Sequence, residues 1–481
     1  MKKLLFFTIS ITLLIASCNK SSELGIYDAP AYVTNGDSTA LEENPFIQVT
    51  DEPTSTFSID ADGGSYTYLR RFIQQAGQLP LKQSIRTEEL LNYFDMDYPF
   101  GSTNHPIDLN GEVSDCPWKS GNKLIRIGIE GKPLTTVPNS NFVFLIDVSG
   151  SMNSDDKLGI LKDGFNIMVD QLTANDRVSI VTYAGADKIL LESASGDQKT
   201  KIKKAINKLG AGGGTNGAAG INTAYDLATA NFIQDGNNRI IIGTDGDFNI
   251  GISDHDALLD LIEIKRESGI FLTTLGVGTG NYQESTMEQI ANHGNGTYEY
   301  IDKPEQLEKI FIHDFSKFFT VAKDVKVQVQ FNPATVESYR LIGYENRVLE
   351  NVDFEDDTKD AGEIGADQGI TALYEIVPNP NGNTLTDPVF SIDFRYKEPD
   401  SEVSVPINLD IFDVGTTFQQ SSDYMQFSAS IAGFSMLLTN SAYKESTTYD
   451  KVQTWLNNCN ISDPHGYKAE FKTLVFTAKS L

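Results

Sequence analysis

Cysteine is scarce, with three in 481 residues. Cys18, Cys116 and Cys459 show none of the close pair spacing that a cysteine-ligated metal requires. Histidine is nearly as rare. His105, His255, His293, His313 and His465 form no ligand pair at helical spacing, so scattered structural roles are expected of all five. Basic residues are outnumbered, 38 against 66 acidic ones, for a formal charge of −28. A phosphate backbone would be repelled, which argues against nucleic acid as a partner. No basic amphipathic patch suggests adsorption to a lipid surface. There is no G-x-S-x-G elbow, no H-E-x-x-H and no phosphate-binding P-loop, so the hydrolase classes that rely on them lose support.

What is present begins with "MKKLLFFTISITLLIASC": a positive start, a short apolar stretch, then small residues before Cys18. Residues 1–17 have the pattern of a secretory signal, too short and wrongly flanked for a stable membrane span. Ile15-Ala16-Ser17-Cys18 resembles the bacterial lipobox, which makes Cys18 the expected lipidation site and a lipid anchor the expected link to the membrane. An ordinary signal peptide with a coincidental cysteine is the plainer alternative. Asn19 follows, with no Asp to favour inner-membrane retention, so a cell-envelope protein on the outer membrane is expected. Polar residues 18–44 read as a flexible tether. Export permits a disulfide between Cys116 and Cys459. Their sequence separation gives that pairing no geometric support, and two unpaired buried thiols are expected.

The length calls for several domains. Over 141–319, the runs "NFVFLID", "RVSIVTYA", "NRIIIGTDG", "IFLTTLGVG" and "TYEYID" alternate with helical patterns. Most are apolar on successive residues, as strands buried on both faces must be. Leu158, Leu161, Phe165, Met168 and Leu172 step along one helix, and Ile221, Tyr225, Ala228 and Phe232 along another. This is the grammar of an α/β domain: a doubly wound, mostly parallel sheet with helices on both faces. "KILLES" reads as an antiparallel edge hairpin. Residues 45–140 form an N-terminal helical and β accessory region. Residues 320–418, with period-two "KDVKVQVQF" and "PVFSIDFRYK", form an antiparallel β domain. Residues 419–481 are helical, with Phe427, Ile431, Phe434 and Leu438 on one face and Tyr467, Phe471, Leu474, Ala478 and Leu481 on another; these stripes are core.

Sheets of this kind bind ligands beyond the carboxyl ends of their strands. Three polar clusters reach that edge. Asp147, Ser149 and Ser151 end "FLIDVSGSM", Thr215 follows "GAGGG", and Asp245 ends "IIIGTDG". The set offers oxygen alone, which suits a hard divalent cation such as Mg²⁺, with Mn²⁺ or Ca²⁺ as alternatives. Gly150 is expected to let the chain turn so that both serines face inward. Three neutral hydroxyls leave the ion electrophilic, with a place for a partner's Asp or Glu. The plainer reading, a strand-end Asp with serines capping a helix, leaves the other two clusters unexplained. Asp247 and Asn249 in "DGDFN" are open to two readings, supports behind the ligands or turn formers.

At these residues the chain resembles the metal-ion-dependent adhesion site of von Willebrand factor type A domains: "DVSGS", the Thr of "GGTN" and "TDG" stand in the family's order. The resemblance implies direct ligation by Ser149 and Ser151, ligation by Asp147 and Asp245 directly or through water, and an engagement of Thr215 that changes as the site opens. It also implies binding of protein ligands rather than catalysis. "FSIDADGGSYTYLRRFI", "LPLKQSIRTEELLNYF", "KDAGEIGADQGITALYEIVP" and "DPHGYKAEF" further resemble YfbK-like bacterial lipoproteins that carry this domain. Asp367-Gln368 departs from that pattern where Gly-His is expected, which leaves the role of that loop open.

Two other functional classes compete with this reading. A metal-dependent hydrolase would want a second acid close behind Asp147, but positions 149 and 151 are serine. A scaffold in which the ion only staples the fold needs no exposed ligand position. Asp60 and Asp62 fail the calcium-loop spacing and are expected as turn or cap residues for the helix at Tyr66. Acidic "ENVDFEDDTKDAGE", with Asp356, Asp357 and Asp360, is expected to be a solvated connection between strands, a weak cation site being the lesser alternative.

Overall fold

The computed structural model describes residues 42–101, 103–213, 217–246, 255–278, 284–382 and 386–481. An N-terminal stretch supplies β1 (Ile47–Gln48), β2 (Thr54–Ser58), α1 (Gly64–Arg71), α2 (Thr87–Asn92), β3 (Ile107–Asp115) and β4 (Lys123–Gly131). The central domain runs through β5 (Ser140–Asp147), α3 (Ile160–Gln171), β6 (Arg177–Tyr183), β7 (Lys188–Ser195), α4 (Lys199–Asn207), α5 (Gly217–Ala230), β8 (Asn237–Thr244), α6 (His255–Arg266), β9 (Phe271–Val277), α7 (Glu284–His293), β10 (Tyr298–Ile301) and α8 (Pro304–Glu308). There follow β11 (Thr320–Phe331), β12 (Val336–Ile342), β13 (Val348–Leu349), β14 (Gly362–Gly365), β15 (Gly369–Pro378), β16 (Phe390–Lys397), β17 (Ser404–Ile411), α9 (Asp423–Thr439), α10 (Tyr449–Asn458) and α11 (Tyr467–Ala478).

The central sheet has the order β10-β9-β8-β5-β6-β7. Its pairs are parallel except β6 with β7, the expected edge hairpin. The unbroken apolar run of β5 has a direct cause. Phe142, Phe144 and Ile146 enter the core beneath α3, α4 and α8, while Val143 and Leu145 enter the core beneath α5, α6 and α7. From Phe142 to Ile146 alternate side chains serve opposite layers, so no position in that run is left for a polar residue. The chain leaves β5 for β6 on one side, and β8 lies on the other, so a crevice opens where their carboxyl ends meet. Phe232 falls beyond the end of α5 and is exposed, and so is Leu481 beyond α11; each helix stops before its apolar rhythm does.

The regions on either side of this domain are not separate bodies, which corrects the division drawn at 140 and 320. β1-β12-β15-β4-β3 form one antiparallel sheet and β13-β2-β11-β16-β17 another. Both mix strands from before and after the central domain. Ile125, Ile127 and Ile129 of β4 share one core with Val327 and Val329 of β11 and with Phe390, Ile392 and Phe394 of β16. The two sheets therefore close on each other as a sandwich, with the α/β domain inserted between β4 and β11. Leu124 and Leu373, on the other face of the first sheet, carry a helical layer made from α1, α2, α9, α10 and α11. Cys116 and Cys459 both lie buried in that layer as unpaired thiols. Among the described residues, no helix is long and apolar enough to cross a membrane.

Candidate functional site

Asp147 is the last residue of β5 and is wholly buried. The chain turns immediately: Ser149 N–H donates to Asp147 Oδ1 at 2.8 Å, and the Ser149 and Ser151 hydroxyls stand 3.0 Å apart. Ser149 is buried, whereas Ser151 is exposed, so the pair runs from the floor of the crevice to its mouth. Asp245 follows the last residue of β8 and is buried. The hydroxyl of Thr244 links the two strand ends, donating to Asp147 Oδ2 at 3.0 Å and accepting from Gly246 N–H at 3.2 Å. Asp147, Ser149, Ser151 and Asp245 thus converge. Thr215, Asp247, Asn249 and Cys18 lie outside the described residues.

The turn does not need glycine at 150, contrary to expectation. Gly150 does not adopt a left-handed conformation, and an added Cβ would meet only Gly213 O, at 3.6 Å. The glycines with positive φ flank the site instead: Gly213 at +105° and Gly246 at +84°. Both are conformations that a side chain resists. Gly212 N–H to Val148 O, at 2.7 Å, and Gly150 N–H to Gly213 O, at 3.2 Å, sew the glycine run to the serine turn.

Burial is the main influence on Asp147, and it pushes the carboxyl above the ordinary range. Hydrogen bonds from Ser149 and Thr244 work in the opposite direction, and the negative charge of Asp245 adds to the rise. Tyr183, beneath, is pushed up by its own burial and then by the charge on Asp147. A cation at this position would offset both effects. With two carboxylates, two hydroxyls, no sulfur and no imidazole, these residues fit a hard divalent ion.

Sequence reasoning missed Lys157. Its ammonium donates to Asp245 Oδ2 at 2.8 Å and to Ser151 O at 3.0 Å. It lies ten residues after Asp147, on the wide turn Asp155–Gly159 that precedes α3, and no motif marks it. A second unforeseen pairing joins His313 and His465, whose rings stack with centroids 3.6 Å apart; His313 Nδ1 also meets Tyr467 Oη at 2.7 Å. Their spacing in sequence concealed this contact, which sits against α11 and away from the donor set.

Asp60, Asp62 and Glu288 form the one group of three acids among the described residues whose ligand atoms lie within 4.8 Å of each other. The Arg347 guanidinium already serves it, at 3.0 Å from Asp60 and 2.9 Å from Glu288. Asp62 N–H donates to Asp60 Oδ1 at 3.0 Å, the expected turn, but no Asp caps α1; Glu89 accepts the Ser65 N–H instead. The acidic connection is anchored, since Asp360 pairs with Arg266 at 2.7 Å and Asp357 with Arg395 at 3.0 Å. Asp367 adopts φ +55°, a conformation in which glycine is at ease, and the Gln368 amide oxygen accepts Gly365 N–H at 2.7 Å.

Comparison with known families supplies the context. The description "von Willebrand factor type A domain" matches residues 141–313, "Uncharacterized protein YfbK, C-terminal" matches 316–481, and "von Willebrand factor" matches 34–126. The chain is 39% identical over 461 residues to the protein YfbK of Escherichia coli, an alignment covering 90% of this chain and 80% of that one. Among solved structures, von Willebrand factor type A from Catenulispora acidiphila is 15% identical, with a TM-score of 0.46, over 79% of this chain and 98% of that one. BatB from Bacteroides thetaiotaomicron is 21% identical, with a TM-score of 0.33, over 37% of this chain and 98% of that one. On the extent of the match to YfbK and the agreement of the family descriptions along the chain, the protein belongs to the YfbK family of von Willebrand factor type A domain proteins.

Proposed function

We propose that this chain is a lipid-anchored protein of the cell envelope whose type A domain binds a protein partner through a divalent ion, serving adhesion or the assembly of envelope complexes. Asp147, Ser149, Ser151 and Asp245 would hold the ion, joined by Thr215, which rests on sequence alone. Mg²⁺ is the preferred ion, with Mn²⁺ or Ca²⁺ as alternatives. Once bound, the ion would offer an electrophilic position to an Asp or Glu carboxylate of the partner. The observation that carries this reading is the oxygen-only set at the meeting of β5 and β8, closed at the buried Asp147 and open to solvent at Ser151.

Titration of Mg²⁺ or Mn²⁺ into the purified protein tests it. The melting temperature should rise, by the equivalent of about 2.7 kcal/mol at one hundred times the dissociation constant, and Asp147→Ala should remove the rise. No rise in the wild type counts against the reading. Capture of the partner separates binding from stapling: folded Thr215→Ala should capture less than wild type, and equal capture would favour an ion that only holds the fold together. Anchoring at Cys18 rests on the leader pattern. Metabolic labelling with a fatty-acid analogue should mark the wild-type chain and spare Cys18→Ala.

A further inference from the structure

The crevice that would receive a divalent ion already contains a positive charge. Lys157 Nζ lies 2.8 Å from Asp245 Oδ2 and 3.0 Å from Ser151 O, with the side chain only 15% exposed. The path of that side chain is built into the fold. Its stem crosses Gly278, at the end of β9, where a Cβ would come within 2.5 Å of Lys157 Cε. Gly278 has φ +84° and is held from below, its carbonyl accepting the Tyr300 hydroxyl at 2.6 Å. Tyr300 accepts in turn from Arg71 Nη1 of α1, also at 2.6 Å. A bulkier residue at 278 would push the lysine off this track.

We propose that Lys157 is the resident counter-cation of the adhesion site, and that a divalent ion enters only by displacing its ammonium from Asp245. This rests on the reading of the site given above and adds its regulation. Lys157 occupies Asp245 Oδ2, and a divalent ion drawn to the same carboxylate would be repelled by the ammonium and would compete with it for the acid's charge. Metal and amine are therefore alternatives. With the amine in place the buried acid is neutralised and the fold does not depend on metal. With metal in place the amine swings toward the rim. The exchange sets a threshold of free divalent ion below which the site stays closed to a carboxylate partner.

Calorimetric titration of Mn²⁺ and Mg²⁺ into the full chain tests this, with Lys157→Met retaining the aliphatic stem and Lys157→Arg retaining the charge. Lys157→Met should bind metal roughly tenfold more tightly, the equilibrium equivalent of one charge-assisted hydrogen bond. Its melting temperature in chelator should be lower than that of wild type, and its rise on adding metal larger. Lys157→Arg should bind no more tightly than wild type. A measurement on the wild type alone guards against a misfolded variant: acylation of Lys157, followed by peptide mass spectrometry, should become severalfold faster when Mn²⁺ is added. Wild-type binding with equal or weaker affinity in Lys157→Met, or an acylation rate unmoved by metal, overturns the proposal while leaving the metal site standing. No binding by wild type or variant removes the site itself, and the exchange with it.

Discussion

Thr244 ties the end of β5 to the turn after β8 through a single hydroxyl, giving one hydrogen bond to Asp147 and taking one from Gly246. The bond to Asp147 favours the ionised carboxylate, which burial disfavours. Thr244→Val keeps the shape and loses the hydroxyl. It should weaken Mn²⁺ binding by roughly 10- to 100-fold, the usual effect of removing a group that orients a ligand, and Thr244→Ser should restore most of the loss. Calorimetry on folded protein checks both. That Asp147, Ser149, Ser151 and Asp245 would lie at one edge was legible in the sequence because each ends or follows an apolar strand. Thr244 was not, since a threonine inside a strand needs no explanation. Lys157 was hidden for a different reason: where its amine goes depends on how the turn before α3 is aimed and on a glycine more than a hundred residues later.

Arg347 joins three elements at one point. It leaves the turn between β12 and β13, binds Asp60 after β2 and Glu288 on α7, and lies 3.8 Å from Asp62. Asp62 Oδ1 also accepts the Tyr298 N–H at 2.9 Å, so the segment before α1 is fastened to the start of β10. Burial first, then the charge of Asp60, holds the Asp62 carboxyl well above its ordinary range, with Arg347 pulling it down. Arg347→Met leaves Asp60 and Asp62 without this guanidinium, while Glu288 keeps Arg86 at 3.3 Å, and should cost about 3–5 kcal/mol, as loss of one partner from a buried ion pair does. Adding Asp62→Asn to that variant should recover part of the loss in denaturant melts; strictly additive effects of the two changes would show that the charges do not communicate. The individual elements here were readable from period and run length. Their partnerships were not. β1, β2 and β4 read as an accessory region because their partners β12, β11 and β15 lie beyond the inserted domain, and no local pattern in a strand names the strand it will pair with.

Across the molecule, acidic side chains outnumber basic ones, and burial raises several of them more than nearby lysines lower them. Burial is the chief cause of the upward shift in Glu88, to about 8, in Glu130, to about 9, and in Glu299, to about 7. A carboxyl raised on folding contributes stability that is whole below its unfolded value and is lost as pH climbs through the folded one. Asp314 runs the other way: burial opposes its ionisation, yet Lys309 and Lys317 hold it at about 2, so its contribution is present near neutrality and lost only in strong acid. Between pH 6 and 9 the raised group dominates. The melting temperature, measured in chelator to keep metal out of the balance, should therefore fall across that interval. Glu88, raised by burial and then by the charge of Glu345, offers a test, because its Oε2 accepts Tyr344 N–H at 2.9 Å while Oε1 has no hydrogen-bond partner among the described residues. Glu88→Gln keeps an oxygen for Tyr344 and cannot ionise. It should flatten the decline up to pH 8 by at most about 1.4 kcal/mol per pH unit, with little change at pH 4. A wild-type profile that rises between pH 6 and 9, or one that Glu88→Gln leaves untouched, would mean that these acids reach solvent or a counter-ion before they lose their protons.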